Sequence, residues 1–192
     1  MALRGRKEGE TGEMGGGANA REPERRPFIV SSSHLATPGS EDLSEFEFSL
    51  TVANNAFQHW IVRCMAAAGL PDLSAIETLI LHHVNHRAKE KSIPDLMFAL
   101  NISERHYLNY AMKKLDARGL IERRKQGKEV FVRTSAAGAG YCAEYARLRN
   151  VCLLELVPDD RRVGGTVIAE VAKALRILNG FYEQASRSVS SL

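Results

Sequence analysis

Between Ser92 and Arg133 the apolar spacing changes character once. Through "SIPDLMFALNISERHYLNYAMKKL" the interior-seeking residues recur at steps of three and four, the period of a helix. Beyond Gly119, "LIERR" and "EVFVR" cluster or alternate β-forming residues around the polar turn "KQGK", the signature of a hairpin. Ser92 and Asp95 make an S-x-x-D start with Pro94 in the first turn, so a short helix opens there with Ile93, Leu96, Met97 and Leu100 inward. "LNIS" then turns the chain. Ser103 is expected to cap a further helix, buried through Leu108, Ala111, Met112 and Leu115 and ended by Gly119. Few folds accommodate a short helix, a tight turn, a helix and a hairpin in that order.

The flanks are helical too. Leu43, Phe46, Leu50, Ala53, Phe57, Trp60, Cys64 and Ala67 repeat at helical steps, and Phe48, Val52 and Ile61 widen the stripe. This long helix is expected to stop at "GLPD", where Gly69 can take a left-handed cap and Pro71 cannot continue. Ser74 and Glu77 supply a capping box for a second helix with a buried face of Ile76, Leu79, Ile80 and Val84. After the hairpin, Ser135 caps a helix running through "YCAEYARLRNVCLLELV", and the segment from Pro158 to Gly165 breaks it. The last helix carries Ile168, Val171, Leu175, Leu178 and Tyr182 in a heptad-like stripe.

Charge is distributed unevenly. The net charge is +3 overall, but residues 28–100 hold four basic and eight acidic residues, whereas residues 101–134 hold nine basic and four acidic. A localised basic block has the form of an electrostatic footprint for a polyanion. A solvated helix face is the plainer alternative. Residues 1–40 lack apolar periodicity and are rich in Gly, Glu, Arg, Ser and Pro, so a disordered tail is expected there. It contains no apolar run suited to a signal peptide, and no segment approaches about 18 uninterrupted apolar residues, so the expected location is the cytoplasm. Three cysteines without metal-ligand spacing suit reduced thiols.

The central order of elements is that of a winged helix-turn-helix, in which the second helix enters the major groove and the hairpin reaches phosphates or the minor groove. The expected fold class is mainly α with a small β-hairpin wing. A reader core at about residues 74–134 lies between N- and C-terminal dimerisation helices at about 42–69 and 136–187, all within one domain at 41–187. On a helical wheel, His106, Asn109, Tyr110 and Lys113 face outward, with Arg105, Tyr107 and Lys114 at the flanks and Ser103 at the helix start. Asn pairs bidentately with adenine, Arg and Lys with guanine or phosphate, and Tyr with phosphate oxygens. Arg123, Arg124, Lys125 and Lys128 on the wing suit phosphate contacts. The second reading of the same surface is a winged-helix module that docks a protein and does not bind DNA.

"SIPDLMFALNISERHYLNYAMKKLDARGLIERR", with a long helix before it and a wing and two helices after it, resembles the MarR family of bacterial transcription regulators over about residues 42 to 185. The most specific piece is "LDARGLIERR". The resemblance implies a homodimer on pseudo-palindromic operator DNA, associated with the nucleoid when bound and often controlled by a small phenolic or oxidant signal. The sequence departs from the family in two places. The wing "RRKQGKEVFVR" is short and lacks the usual Asp-x-Arg at its tip, and the stretch from Ile102 to Leu115 is one residue longer than is common. Dimerisation also follows from apolar excess. The first and last two helices present wider stripes than a three-helix core can cover, and burial between chains stabilises by about 25 cal/mol per Å².

"LHHVNHR" sets His82 and His86 four apart on one helix face, a metal-binding spacing, but His83 stands where a metalloprotease needs Glu, and no third ligand is evident. His83 falls on the apolar stripe and reads as a core histidine. His82 and His86 remain candidates for sensing a small effector, together with Phe57, His59 and Trp60 on the long helix. Cys142 and Cys152, about 15 Å apart along one helix, are too distant for a disulfide. Cys152, in the run "VCLLELV", reads as packing. No Walker loop, dinucleotide fingerprint or nucleophile elbow is present, so no enzymatic activity, cofactor or metal is expected.

Overall fold

The computed structural model describes residues 39–156 and 165–192. The expected tail falls almost wholly outside them, as does the expected break before Gly165. In chain order the elements are α1 (Glu41–Ala67), α2 (Ala75–Asn85), β1 (Lys91–Ser92), α3 (Ile93–Ala99), α4 (Arg105–Ala117), β2 (Ile121–Gln126), β3 (Glu129–Thr134), α5 (Ala136–Cys152) and α6 (Gly165–Val189). The fold is mainly helical with a small antiparallel sheet, as the sequence pattern predicts. Two compact units divide the chain, Met1–Thr51 and Val52–Leu192. In the described part of the first, the Ser44 amide and hydroxyl both donate to the Ser40 carbonyl, at 3.1 and 3.3 Å, as α1 begins.

Three helices of the second unit end on the same device. After α1, Gly69 (φ +111°) donates to the Ala66 carbonyl at 3.0 Å, and Leu70 donates to Met65 at 3.0 Å. After α4, Gly119 (φ +65°) donates to Asp116 at 2.8 Å, and Leu120 donates to Leu115 at 3.0 Å. After α3 the left-handed residue is Asn101 (φ +51°), with Ile102 donating to Met97 at 2.9 Å. Each is a Schellman cap that satisfies otherwise orphaned carbonyls. The last residue of the α1 and α4 caps turns inward, and Leu70 and Leu120 are buried. The capping boxes expected at Ser74–Glu77 and Ser92–Asp95 both form.

Two details differ from expectation. Ser103 does not cap α4, because the cap on α3 leaves the following residues extended and the helix starts one residue later, with Glu104 at its N-cap and no side-chain cap bond. The buried face of α2 is Glu77, Thr78, Ile80, Leu81 and Val84, whereas Ile76 is exposed. The core joins that face to Met65, Leu96, Leu108, Met112, Leu115 and Val132.

The sheet order is β1-β3-β2. β2 and β3 pair from Ile121 with Thr134 to Gln126 with Glu129, and Gly127 (φ +60°) makes the tight turn between them possible. β1, unforeseen in the sequence, adds Lys91 opposite Val132 and Ser92 opposite Phe131. Beyond β3 the Ser135 amide donates to the Leu120 carbonyl at 3.1 Å and its hydroxyl donates to the Gly119 carbonyl at 2.6 Å, while that hydroxyl oxygen accepts from Gly138 at 3.0 Å. A Cβ on Gly138 would collide with the Leu120 carbonyl oxygen and meet Thr134 Cγ2 at 2.9 Å. Helix propensity alone favours Ala over Gly by about 1 kcal/mol. Collision with fixed backbone outweighs that gain, so Gly138→Ala is expected to lower stability by about 2 kcal/mol in urea unfolding.

Candidate nucleic-acid interface

α4 divides its surface by helical period. Leu108, Ala111, Met112 and Leu115 are buried, and Arg105, His106, Asn109, Tyr110 and Lys113 are exposed on the other side. Tyr107 and Tyr110 are 61% and 71% exposed. The His106 ring leans on Tyr107 with centroids 4.1 Å apart, and its Nδ1 lies 3.5 Å from the Glu104 carboxylate. Arg105, Asn109 and Lys113 have no side-chain hydrogen bond or ion pair among the described residues, so their donors and acceptors are available to a ligand.

Lys114 is the exception among the expected contacts. Its ammonium donates to the Asp72 carbonyl at 2.6 Å and the Glu77 carboxylate at 2.8 Å, turning it away from the open face. Arg118, one turn further, pairs with Asp72. These contacts tie one flank of α4 to the start of α2. On the other flank Asp116, seven residues from Asn109 and therefore nearly in line with it, pairs with Arg123 of β2 at 3.7 Å. The wing thus lies on the Asn109 side.

The wing cations are not equivalent. Arg124 donates to both Glu90 oxygens, at 3.1 and 2.5 Å, and to Gln126 at 2.9 Å, with its guanidinium 5.2 Å from the centre of the Phe131 ring. Arg133 pairs with Glu122 at 2.5 Å. Lys125 and Lys128 at the tip are exposed and carry no such pair among the described residues. Sequence reasoning missed Asp72, Glu90 and the second role of Glu77, since no local signal links residues so far apart along the chain.

The candidates for effector sensing do not converge. Phe57 and His59 are exposed on α1, and His86 follows α2 beside His83 in a surface cleft. Trp60 is half-buried and packs against the core that includes Tyr145. The His82 ring meets Tyr145 edge-on with centroids 4.3 Å apart, and its buried Nε2 has no partner among the described residues. Burial holds its imidazole below the ordinary pKa. The inward histidine is therefore His82, and His83 is the partner of His86, the reverse of the sequence expectation. Cys142 is buried, with its thiol pushed up to about 11 by burial, and Cys64 is raised by burial and then by Cys152. Cys152 is exposed and not packed. Among the described residues no group of three or more His, Cys, Asp or Glu could hold a metal, and no helix is long and apolar enough to cross a membrane.

Comparison with known proteins agrees with this geometry. Residues 73–138 match a family model described as a winged helix DNA-binding domain. This segment is thus similar to such a domain, and the larger architecture has the MarR fold. A mutant MarR from E. coli complexed with operator DNA superposes with TM-score 0.58 at 15% identity, over 74% of this chain and 99% of that one. AbfR of Staphylococcus epidermidis gives 0.59 at 13% identity over 74% and 92%. CouR from Rhodococcus jostii RHA1 bound to p-coumaroyl-CoA gives 0.53 at 13% identity over 69% and 90%. No curated protein matches the chain by sequence.

Glu77 gives the α4 anchor a pH signature. Its side chain is only 4% exposed. Burial alone would raise its pKa, but hydrogen bonds from Lys114 and Ser74 and the Lys114 charge bring it below the ordinary value. The resulting stabilisation is complete above the unfolded value of about 4.3 and is lost as pH falls through the folded value. Lys114→Met is expected to cost about 2 kcal/mol at pH 7, since it leaves a buried carboxylate short of a partner. In urea unfolding the difference from wild type should shrink below about pH 4. An undiminished difference would mean that Lys114 acts through packing.

Proposed function

We propose that the chain is a sequence-specific DNA-binding transcription regulator that acts as a homodimer. The observation that carries this reading is the open face of α4, where Arg105, His106, Asn109, Tyr110 and Lys113 stand exposed on a helix rigidly seated through its opposite side. Asn109 is the best candidate for base reading, because its amide offers the donor and acceptor that adenine complements. Lys113 and the tyrosines suit phosphates, as do Lys125 and Lys128 on the wing, while Arg123 and Arg124 already share their charge with Asp116 and Glu90. MarR of E. coli is seen with operator DNA on the same fold.

The dimer is supported by α6. Ile168, Val171, Phe181 and Tyr182 are exposed, and none of the described side chains of this 25-residue helix is buried. An apolar surface of that extent on a folded chain marks an association face. Sedimentation equilibrium at micromolar concentration should give twice the chain mass. A monomer that still binds operator would overturn this assignment of α6. Control by a small effector belongs to the same reading, supported by the buried Nε2 of His82 beside Tyr145, which has no partner among the described residues.

Selection from a random DNA pool tests the central claim. On the selected sequence, Asn109→Ala should cost about 1 to 3 kcal/mol per half-site, with little effect on random DNA. Replacing Lys125 and Lys128 with Ala should instead weaken all DNA similarly and flatten the salt dependence by roughly one unit for each phosphate no longer neutralised. Negligible binding to mixed DNA at low salt would favour the protein-docking alternative.

A further inference from the structure

Where α2 ends, the chain turns through His86, Arg87 and Ala88, and two of these are non-glycine residues in the left-handed region, with φ +62° at Arg87 and +49° at Ala88. Such backbone persists only where surrounding contacts enforce it, and it clusters at functional sites. Here Lys91 of β1 enforces it, its ammonium donating to the carbonyls of Val84 at 3.0 Å, His86 at 2.7 Å and Lys89 at 3.3 Å. The turn forms one wall of an open cleft of about 380 Å³, and α3 forms the other.

Charge within the cleft is unbalanced. Its two carboxylates are both engaged: Glu90 gives both oxygens to Arg124, and Asp95 accepts the Ser92 amide at 3.2 Å in the capping box. Arg87 and Lys89 have no side-chain hydrogen bond or ion pair among the described residues, and the imidazoles of His83 and His86 line the same wall. His83 is held below its ordinary pKa by burial and then by the charges of Lys91 and His86, which marks the positive field there. The opposite wall is Ala99 and Phe98, the latter 90% exposed on a seven-residue helix.

We propose that this cleft binds a phosphate monoester bearing a planar ring, with the phosphate on Arg87, Lys89, His83 and His86 and the ring on Phe98. Two cations and two imidazoles on one wall match the three oxygens and double charge of a phosphate monoester better than the single charge of a carboxylate. An exposed aromatic face suits a nucleobase, which stacks without regard to its identity. The volume lies at the lower end of the range for small-molecule sites, enough for a mononucleotide. The ligand is a free nucleotide or the terminal nucleotide of a strand with a 5′ phosphate. The cleft is separate from the α4 face and from the Trp60–Tyr145–His82 cluster.

NMR titration of the isotope-labelled full chain with AMP tests the site without DNA, so failure here leaves the reading of α4 untouched. AMP should shift the amides of Arg87, Lys89 and Phe98 and should bind about tenfold more tightly than either adenosine or inorganic phosphate, since each lacks half of the recognition. Arg87→Gly/Lys89→Gln removes the charges while placing at residue 87 the residue best suited to a left-handed turn. It should fold normally and lose AMP. Phe98→Ser, at an exposed position, should lose the preference for AMP over inorganic phosphate. A 5′-phosphorylated trinucleotide binding more tightly than AMP would assign the site to strand ends, and equal or weaker binding would assign it to free nucleotide. Shifts confined to α4 and the wing, or equal affinity for AMP and adenosine, would overturn the proposal.

Discussion

The carbonyls of Gly119 and Leu120 are the junction on which the helix-turn-helix and its wing depend. The left-handed Gly119 ends α4, Leu120 drops into the core one residue later, and its carbonyl oxygen then takes the Ser135 amide from the far end of the hairpin. The Ser135 hydroxyl bridges the Gly119 carbonyl and the Gly138 amide, so the end of α4, the base of the sheet and the first turn of α5 meet within a few ångströms. Only an absent side chain at residue 138 allows α5 to start so close to that backbone. The angle between α4 and the wing is therefore set chiefly by hydrogen bonds to the backbone carbonyls of Gly119 and Leu120, with the Asp116–Arg123 pair adding a side-chain contact across it.

Rotation of α4 about its own axis is fixed by other means. The apolar stripe through Leu108, Met112 and Leu115 sets it coarsely, since greasy contacts tolerate some sliding. Lys114 and Arg118 on one flank and Asp116 on the other add directional contacts to Glu77, Asp72 and Arg123. Both flanks being held, the remaining side is presented in one orientation, as the proposed pairing with base edges would require.

Much of this was legible in the sequence because it is local. Helical period placed α1 to α6, and the S-x-x-E and S-x-x-D boxes and the glycines at 69 and 119 marked ends that the structure confirms. What escaped was non-local or too short to have a period. β1 is two residues long and exists only because β3 offers an edge. Lys114 looks like a flank cation until Glu77, 37 residues away in sequence, is brought beneath it. The choice between His82 and His83 was decided by Tyr145 of α5, which packs against one of two adjacent positions on a wide apolar face. Ser103 had the right chemistry for a cap, but the Asn101 turn moved the helix start past it.

α6 has a thermodynamic consequence. Its side-chain hydrogen bond to the turn after α3, from Asn101 to Asn179 at 3.2 Å, is exposed and contributes on the order of 1 kcal/mol. Most helical stability in proteins comes from packing of an amphipathic face and not from intrinsic propensity. The free energy that keeps residues 165–189 helical thus resides chiefly in whatever covers their apolar face, and order in this segment is linked by mass action to the amount of that partner. In the proposed homodimer that partner is a second copy of the chain, so the melting temperature would be a function of concentration, and dilution would act as a mild denaturant whose first target is the C-terminal helix.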